Sequence, residues 1–190
     1  MKDAPDAVFL DRDGTIIDDV HFIKSPRQVK LIQGVAEAIA RINTAGARAI
    51  VITNQSGIAR GLSTVEDYEV VRAHYEALLD KSGARIDASY YCPHHPEVDG
   101  PCKCRKPGTE LFEQAMQDFS LKPERVAYIG DRWRDVAAAK RLGGRGFLVP
   151  SGMTTKDDHQ RAKKDGVRTV ATIGAAVDAL FGLTTAMRAE

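Results

Sequence analysis

Short apolar runs alternate with longer amphipathic segments along most of this chain. The apolar runs predict strands at 7–10, 49–53, 88–92, 125–129, 145–149 and 167–171. Apolar residues at helical spacing predict helices at 34–45, 64–82, 108–118, 135–142 and near 173–181. Strands that alternate with helices through short links form a parallel sheet, which the helices cover on both faces. The pattern therefore predicts an α/β fold with a doubly wound parallel sheet.

Turn and capping residues separate these elements without marking a second domain. Ser63 and Glu66 fit a capping box at the start of the second helix, and Gly83 fits its end. Only short segments follow the first two strands before the next helix begins, so we expect no large cap domain. We predict one domain over 1–182, whereas 183–190 lacks periodicity and is expected to fray.

The composition is that of an ordinary globular domain, since 43% of the 190 residues are hydrophobic and 28% are charged. The net charge of +1 offers no basic surface for a nucleic acid, so we expect no nucleic-acid partner. No apolar run approaches the roughly 18 residues of a membrane span, and the first residues lack the apolar core of a secretory signal. We expect a cytoplasmic monomer with no membrane contact.

Two carboxylates directly follow the first apolar run. In open α/β sheets, ligands bind beyond the carboxyl ends of the strands, so Asp11 and Asp13 would lie at the mouth of a site. Gly14 lets the chain turn away at once. One carboxylate can attack phosphorus while the other transfers protons, with a divalent cation screening the charge. The alternative is an acidic turn that caps a helix.

Three further segments carry groups suited to a phosphate or a metal. Residues 53–57 follow the second strand, and their hydroxyl, amide and backbone N–H groups can hold phosphate oxygens. Arg105 and Lys106 supply positive charge for a phosphoryl group. Asp131 and Asp135 follow the fourth strand and suit a hard cation.

In this order, the motifs resemble those of the haloacid dehalogenase superfamily of phosphatases. The resemblance rests on DxDGT, a threonine at a strand end, a lysine and GDxxxD. It implies that Asp11 attacks phosphorus and that Asp13 first protonates the leaving oxygen and then deprotonates water. It also implies that Thr53 and Lys106 hold the phosphoryl oxygens. Mg²⁺ would be bound by the Asp11 carboxylate, the Asp13 backbone carbonyl and Asp131.

All three cysteines lie in one stretch, together with a histidine at matching spacing. Cys92 and His94 form one pair and Cys102 and Cys104 the other, which fits a four-coordinate structural zinc site. His95 could replace His94 in this set. A disulfide and a redox dithiol are the alternatives, although the odd number of cysteines argues against a disulfide framework. The predicted zinc loop, residues 92–104, leads directly into the two cations of the phosphate-binding segment.

Within the superfamily, this loop resembles that of the D-glycero-D-manno-heptose 1,7-bisphosphate 7-phosphatases and of the histidinol-phosphate phosphatases. Both families also share the TNQSGIARG segment at 53–61. The chain departs from many members by Arg132, where a lysine is expected, and by a compact segment at 97–101. The resemblance implies that the substrate is bound by Asp19, Val20, His21, Phe22, Thr53, Asn54, Gln55, Ser56, Arg105 and Lys106.

Among these residues, Arg105 is expected to be the most substrate-specific, because a planar guanidinium can bind a second phosphate or sugar hydroxyls through two donors. An exposed arginine that only solvates its loop is the alternative. Trp133 and Arg134 are interpreted as packing and surface residues.

The resemblance thus predicts a Mg²⁺-dependent phosphatase with a structural zinc, acting through an aspartyl-phosphate on Asp11. Its small-molecule substrate would be a heptose 1,7-bisphosphate, which loses the 7-phosphate on the route to nucleotide-activated heptose for surface glycans. A histidinol-phosphate phosphatase and a polynucleotide 3'-phosphatase are alternatives, although no basic and aromatic binding face is evident for the latter. A silent scaffold whose zinc loop docks a partner is a further alternative, which the complete set of motifs disfavours.

Overall fold

In a computed structural model, residues 4–20 and 22–182 of the chain are described. They form a six-stranded sheet in the order β3-β2-β1-β4-β5-β6, in which every neighbouring pair is parallel. The predicted α/β doubly wound fold is therefore confirmed. The strands are β1 (Ala7–Leu10), β2 (Arg48–Asn54), β3 (Ala88–Cys92), β4 (Val126–Gly130), β5 (Arg145–Leu148) and β6 (Arg168–Thr169).

Helices cover both faces of the sheet, as the alternation of side chains in β1 requires. The helices are α1 (Val35–Thr44), α2 (Val65–Asp80), α3 (Pro96–Asp99), α4 (Glu110–Asp118), α5 (Trp133–Val136), α6 (Ala138–Leu142), α7 (Lys156–Lys164) and α8 (Ile173–Phe181). Val8 and Leu10 pack into the core formed with α1, α2 and α8, whereas Ala7 and Phe9 pack into the core formed with α4 to α7. Two 3-10 helices lie at Pro26–Gln28 and Pro123–Arg125.

The register of the sheet brings the ends of the central strands to one edge, where β2 extends three residues beyond β1. Leu10, the last residue of β1, pairs with Val51 on one side and with Ile129 on the other. The segments that follow β1, β2 and β4 therefore emerge at the same edge. In this strand order, β2 and β3 lie on one side of β1 and β4 to β6 lie on the other, so the connections on the two sides diverge next to β1. A crevice opens there, where ligands usually bind in parallel sheets.

Several predicted boundaries were wrong. The capping box of α2 is formed by Thr64 and Asp67, one residue later than predicted, with reciprocal bonds of 3.0 and 2.9 Å. The predicted helix at 135–142 is divided into α5 and α6. The strand predicted at 167–171 is reduced to Arg168–Thr169, both exposed at the sheet edge. Helix α7 was not predicted, because it buries only Asp158 and Ala162 and its sequence carries little apolar periodicity.

The described residues hold no separate cap domain. The segment between β1 and α1 forms a 3-10 helix and isolated bridges, and turns connect β2 to α2. None of the helices that the structure describes combines the length and the apolar composition needed to span a membrane. The tail predicted at 183–190 and the predicted substrate residue His21 lie outside the described residues.

Candidate active site

The candidate site begins with a buried lysine between two carboxylates. Lys106 lies in the loop between α3 and α4, and its Nζ donates to Asp11 Oδ1 and to the carbonyl oxygen of Ile52, both at 2.6 Å. The same Nζ is 2.8 Å from Asp135 Oδ1. Burial lowers the pKa of Lys106, but the two carboxylates outweigh burial and raise it, so the ammonium group stays charged.

Asp11, Asp131 and Asp135 form a carboxylate cluster at the ends of β1 and β4. One oxygen from each lies within 4.8 Å of the others. Burial raises the pKa of Asp11 to about 7; Asp135 adds to this effect, while Lys106 opposes it. Burial, reinforced by Asp135, also raises the pKa of Asp131 to about 6. Lys106 and Arg134, whose Nε lies 3.8 Å from Asp135 Oδ1, oppose three carboxylates, so the cluster keeps negative charge that a further cation would offset.

The oxygens of Asp131 show where such a cation fits. Oδ2 accepts a hydrogen bond of 2.5 Å from Ser151 Oγ, whereas Oδ1 is buried and has no hydrogen-bond partner among the described residues. A buried carboxylate oxygen without a donor is costly unless a ligand occupies that position. Carboxylates and backbone carbonyls are the ligands that Mg²⁺ prefers. The donor set of this cluster therefore fits a hard divalent cation.

Gly14 allows the first loop to approach this cluster closely. Its φ is +80°, which favours glycine, and an added Cβ would lie 2.5 Å from Asp131 Oδ2. The sequence predicted the turn, but it gave no sign of the contact between the loop after β1 and the loop after β4. The sequence analysis did not predict Ser151 and Thr154 as site residues, because they follow β5, where no motif was recognised. Thr154 Oγ1 donates to the Asp131 carbonyl oxygen at 2.6 Å.

Asp13 lies beside the cluster and is held by two neighbouring side chains. Arg12 is almost fully buried and donates to both oxygens of Asp13 at 2.9 to 3.1 Å. Gln55 Nε2 donates to Asp13 Oδ2 at 2.9 Å and to Thr53 Oγ1 at 2.8 Å. The amide oxygen of Gln55 accepts from Arg12 Nη2 at 3.0 Å. The structure thus brings Thr53 and Asp13 into one hydrogen-bonded network.

A polar cleft of about 130 Å³ opens next to this network. Of the predicted substrate residues it is lined by Asp19, Phe22, Asn54, Gln55 and Ser56. Arg12 and Arg134 also line it, so Arg134 is not simply the surface residue that the sequence indicated. Its Nε is buried, lies 3.8 Å from Asp135 Oδ1 and has no hydrogen-bond partner in the part of the chain that the structure describes. The cleft offers a cation and several amides and hydroxyls to a hydrophilic ligand.

Of the other predicted substrate residues that the structure describes, Thr53 and Lys106 belong to the adjoining hydrogen-bonded site, whereas Val20 and Arg105 lie elsewhere. Val20 is exposed and is not among the residues lining the cleft. Arg105 Nη1 donates to the His94 carbonyl oxygen at 3.3 Å, so its guanidinium is directed at the 92–104 loop. Asn54 does line the cleft, but its amide also exchanges hydrogen bonds with the backbone of Lys106 at 3.0 and 3.1 Å. That exchange fixes the Lys106 backbone to the end of β2.

The four predicted zinc ligands come together at the base of this loop. The Sγ atom of Cys102 lies 3.7 Å from that of Cys92 and 3.5 Å from that of Cys104. His94 Nδ1 lies 3.2 Å from Cys104 Sγ and 3.8 Å from Cys92 Sγ. A tetrahedral zinc with bonds of about 2.3 Å requires sulfur separations of roughly 3.7 Å. Cys92 and Cys104 are closer, at 2.9 Å. The arrangement fits a four-coordinate Zn²⁺ after a small adjustment.

The alternatives at this cluster find less support. The three cysteines are free thiols, and no disulfide joins them. His95 does not join the cluster, because its Nδ1 accepts from the Glu97 N–H at 3.3 Å and so caps α3. His94, rather than its neighbour, therefore completes the four-residue set.

Comparisons with known proteins agree with this geometry. Residues 103–176 match the HAD-hydrolase-like family model. The chain is 40% identical over 149 residues to the D-glycero-beta-D-manno-heptose-1,7-bisphosphate 7-phosphatase of Rhodopseudomonas palustris, covering 74% of this chain and 81% of that protein. It is 32% identical over 160 residues to the D-glycero-alpha-D-manno-heptose-1,7-bisphosphate 7-phosphatase of Photorhabdus laumondii, covering 81% of this chain and 87% of that protein.

A solved structure gives the same assignment. The D,D-heptose 1,7-bisphosphate phosphatase from B. bronchiseptica, crystallised with magnesium and phosphate, superimposes with a TM-score of 0.82 at 30% sequence identity. The match covers 93% of this chain and 98% of that one. The chain therefore belongs to the haloacid dehalogenase-like hydrolases and, within them, to the family of the D-glycero-D-manno-heptose-1,7-bisphosphate 7-phosphatases, so that it is a phosphoric monoester hydrolase.

Proposed function

We propose that this protein is a Mg²⁺-dependent phosphatase that removes the 7-phosphate of D-glycero-D-manno-heptose 1,7-bisphosphate. The observation that carries this proposal is the buried contact of Lys106 with Asp11, next to the unpartnered oxygen of Asp131. This arrangement combines a nucleophile, a cation for the phosphoryl group and a position for a second cation. The activity by which relatives at 32% to 40% identity are named supports the choice of substrate.

In the proposed reaction, Asp11 attacks phosphorus and the bond to the sugar oxygen breaks as Asp13 transfers a proton to that oxygen. Water then attacks the aspartyl-phosphate, Asp13 accepts its proton, and inorganic phosphate leaves with Asp11 restored. Lys106 and the hydroxyl of Thr53 hold the phosphoryl oxygens throughout. Phosphoryl transfer depends mainly on positioning and charge neutralisation, which a rigid, buried set of groups provides.

We propose that the Asp11 carboxylate, the Asp13 backbone carbonyl and Asp131 hold the Mg²⁺, which when bound neutralises the phosphoryl charge. Asp135 is less suited as a ligand. Its Oδ1 faces Lys106, and its Oδ2 accepts from the Arg132 N–H at 3.0 Å. The role of Asp135 is then to fix Lys106 and the start of α5.

We propose a structural role for Zn²⁺ at Cys92, His94, Cys102 and Cys104. Four protein ligands leave no open position for water, so this metal would supply no chemistry of its own. The last ligand in the loop is two residues before Lys106. Zinc would therefore stabilise the backbone from which Lys106 reaches the site.

A phosphate-release panel tests this proposal. Wild-type protein should release phosphate from heptose 1,7-bisphosphate with a kcat/KM well above that for histidinol phosphate or a 3'-phosphorylated oligonucleotide. Both anomers of the heptose are tested, since the relatives act on different ones. Chelation of Mg²⁺ should abolish turnover and added Mg²⁺ should restore it. A preference for histidinol phosphate would reject the heptose assignment but retain the phosphatase mechanism.

A place in the synthesis of nucleotide-activated heptose belongs to the same proposal, because the product would be a heptose 1-phosphate ready for activation. The monomeric state and the cytoplasmic location remain predictions. Light scattering at micromolar concentration would test the monomer, and cell fractionation would test the location.

A further inference from the structure

Gln55 uses its side-chain amide to join three residues of the site. Its oxygen accepts from Arg12, and its nitrogen donates to Asp13 and to Thr53, at distances between 2.8 and 3.0 Å. The acceptor and the two N–H donors are therefore all engaged, which fixes the orientation of the amide. Gln55 also lines the cleft, where the family resemblance implied substrate binding for it, so its amide links the cleft to Asp13.

The anchors of Gln55 are rigid. Thr53 belongs to β2 and is buried, and the backbone N–H of Gln55 donates to the Cys92 carbonyl oxygen at 2.7 Å. Gln55 is thus fixed to the ends of both β2 and β3. Its position relative to the sheet does not depend on a mobile loop.

Arg12 is the second support of Asp13. Its side chain is only 2% exposed, and its guanidinium lies 5.7 Å from the centre of the Tyr68 ring. Buried arginine is retained where its planar group makes several directed hydrogen bonds. Here those bonds go to Asp13 and Gln55 alone among the described residues.

We propose that Arg12 and Gln55 are positioning residues that hold the Asp13 carboxyl group where it can transfer a proton to the leaving oxygen. Asp13 itself retains 23% exposure and faces the cleft, so it needs such support to keep one geometry. A small misplacement of a proton donor lowers the rate steeply, because catalysis requires a hydrogen bond to the reacting atom. This inference rests on the proposed role of Asp13 as general acid.

The leaving group distinguishes positioning from a general structural role. A sugar or alkyl oxygen must be protonated as it leaves, whereas p-nitrophenolate leaves readily without a proton. Loss of general acid catalysis therefore affects alkyl phosphates much more than p-nitrophenyl phosphate. A merely structural defect lowers kcat/KM for all substrates by the same factor.

The experiment measures kcat/KM for a series of alkyl and aryl phosphates with wild type, Gln55→Met, Arg12→Lys and Asp13→Asn. Gln55→Met keeps the length of the side chain but cannot donate, and Arg12→Lys keeps the charge but loses the planar fork. Both should lower kcat/KM for alkyl phosphates by about 10- to 100-fold. The value for p-nitrophenyl phosphate should fall by less than about threefold. Gln117→Met, at an exposed position of α4, is the matched control.

The results distinguish the positioning role of Arg12 and Gln55 from the general acid role of Asp13. If Asp13→Asn steepens the dependence on the leaving group but Gln55→Met and Arg12→Lys do not, the positioning role is rejected. If Asp13→Asn lowers kcat/KM by the same factor for all substrates, the general acid role itself is rejected. Melting temperatures and inhibition by inorganic phosphate should stay near wild type in Gln55→Met, which excludes misfolding and loss of phosphate binding.

Discussion

Lys106 and Asp11 are 95 residues apart in the chain, yet Nζ and Oδ1 meet at 2.6 Å inside the protein. The contact joins the loop that follows the predicted zinc ligands to the end of the central strand. Because the lysine is 1% exposed and also faces Asp135, it neutralises part of the buried carboxylate cluster. The proposed nucleophile and the proposed phosphate-binding cation are therefore assembled before substrate arrives.

Replacing Lys106 with Met should lower kcat/KM by a similar factor for every phosphate ester, since each presents the same phosphoryl group. It should also destabilise the fold by about 3 to 5 kcal/mol, because Asp11 and Asp135 lose a buried counter-charge. Urea unfolding and a substrate series measure the two effects. Lys103→Met, at an exposed position of the same loop, should change neither. A substrate-dependent loss in Lys106→Met would contradict the role in phosphoryl binding.

Asp11→Asn should abolish turnover and leave the fold intact, because the amide is nearly isosteric but cannot form an acyl-phosphate. Rapid quenching of wild type should reveal an added phosphoryl group on the peptide containing Asp11, and the variant should show none. Asp13→Asn should retain some activity, about 10²- to 10⁴-fold below wild type on the sugar phosphate. Asp80→Asn, at the exposed end of α2, serves as the control. Full activity of pure Asp11→Asn would reject the nucleophile.

The purified protein should contain one zinc per chain after dialysis against a Mg²⁺ buffer, because thiolates prefer zinc and the carboxylate cluster prefers Mg²⁺. Elemental analysis measures both metals. His94→Ala and the double variant Cys102→Ser/Cys104→Ser should lose the zinc and lower the melting temperature. His95→Ala should keep it, since that side chain caps α3 instead. Zinc retained in the double variant would place the metal elsewhere.

Arg134→Ala should weaken binding of the bisphosphate more than binding of p-nitrophenyl phosphate. Its Nε is buried in the cleft wall with no hydrogen bond to residues 4–20 or 22–182, whereas the guanidinium of Arg12 is engaged by Asp13 and Gln55. Loss of a charge-assisted hydrogen bond to the second phosphate or the sugar would cost about 1.5 to 3 kcal/mol in kcat/KM.

Arg105→Ala is tested in parallel with Arg134→Ala. The comparison shows which of the two arginines favours the bisphosphate over simpler esters, a role that the sequence analysis predicted for Arg105. Exposed Arg27→Ala is the control. Equal losses on all substrates in the Arg134 variant would indicate contact with the transferred phosphoryl group instead.

Asp158 should stabilise the protein in a pH-dependent way. Burial raises its pKa, but hydrogen bonds from Thr155, Trp133 and Arg132 outweigh burial and bring the pKa to about 2. A folded-state pKa below the unfolded value contributes stability that is complete above about pH 4 and disappears as the pH falls towards 2. Asp158→Asn should therefore lower the free energy of unfolding by about 2 kcal/mol at pH 7 and by progressively less in acid.

Unfolding by urea between pH 7 and pH 2.5 measures this difference. Asp157→Asn is the matched control on the same helix, because Asp157 is two-thirds exposed in its pair with Arg161. A cost for Asp158→Asn that stays constant across this pH range would mean that the destabilisation does not come from the charge of Asp158.

Local chemistry along the chain was enough to predict the strands, the candidate site and the cysteine cluster. Apolar runs of strand length located the strands, since the inner strands of a covered parallel sheet are buried on both faces; only β6 is polar and exposed, and it keeps just Arg168–Thr169 of its predicted run. Acidic, hydroxyl and basic residues at the strand ends identified the candidate site, because parallel strands end at one edge. The spacing of Cys92, His94, Cys102 and Cys104 was sufficient to predict a cluster, because ligands two residues apart can reach one metal ion.

The contacts between distant segments could not be predicted in this way and became visible in the folded chain. The contact of Gln55 with Asp13, the placement of Arg134 in the cleft, and the support of Asp131 by Ser151 join loops from different strands. Such contacts leave no periodic pattern in the sequence, since each depends on the register of the sheet and the path of a loop. Helix α7 was missed for a related reason. Asp158 in α7 accepts hydrogen bonds from the Arg132 side chain and the Trp133 N–H. The burial of Asp158 therefore follows from long-range hydrogen bonds and not from an apolar face of the helix.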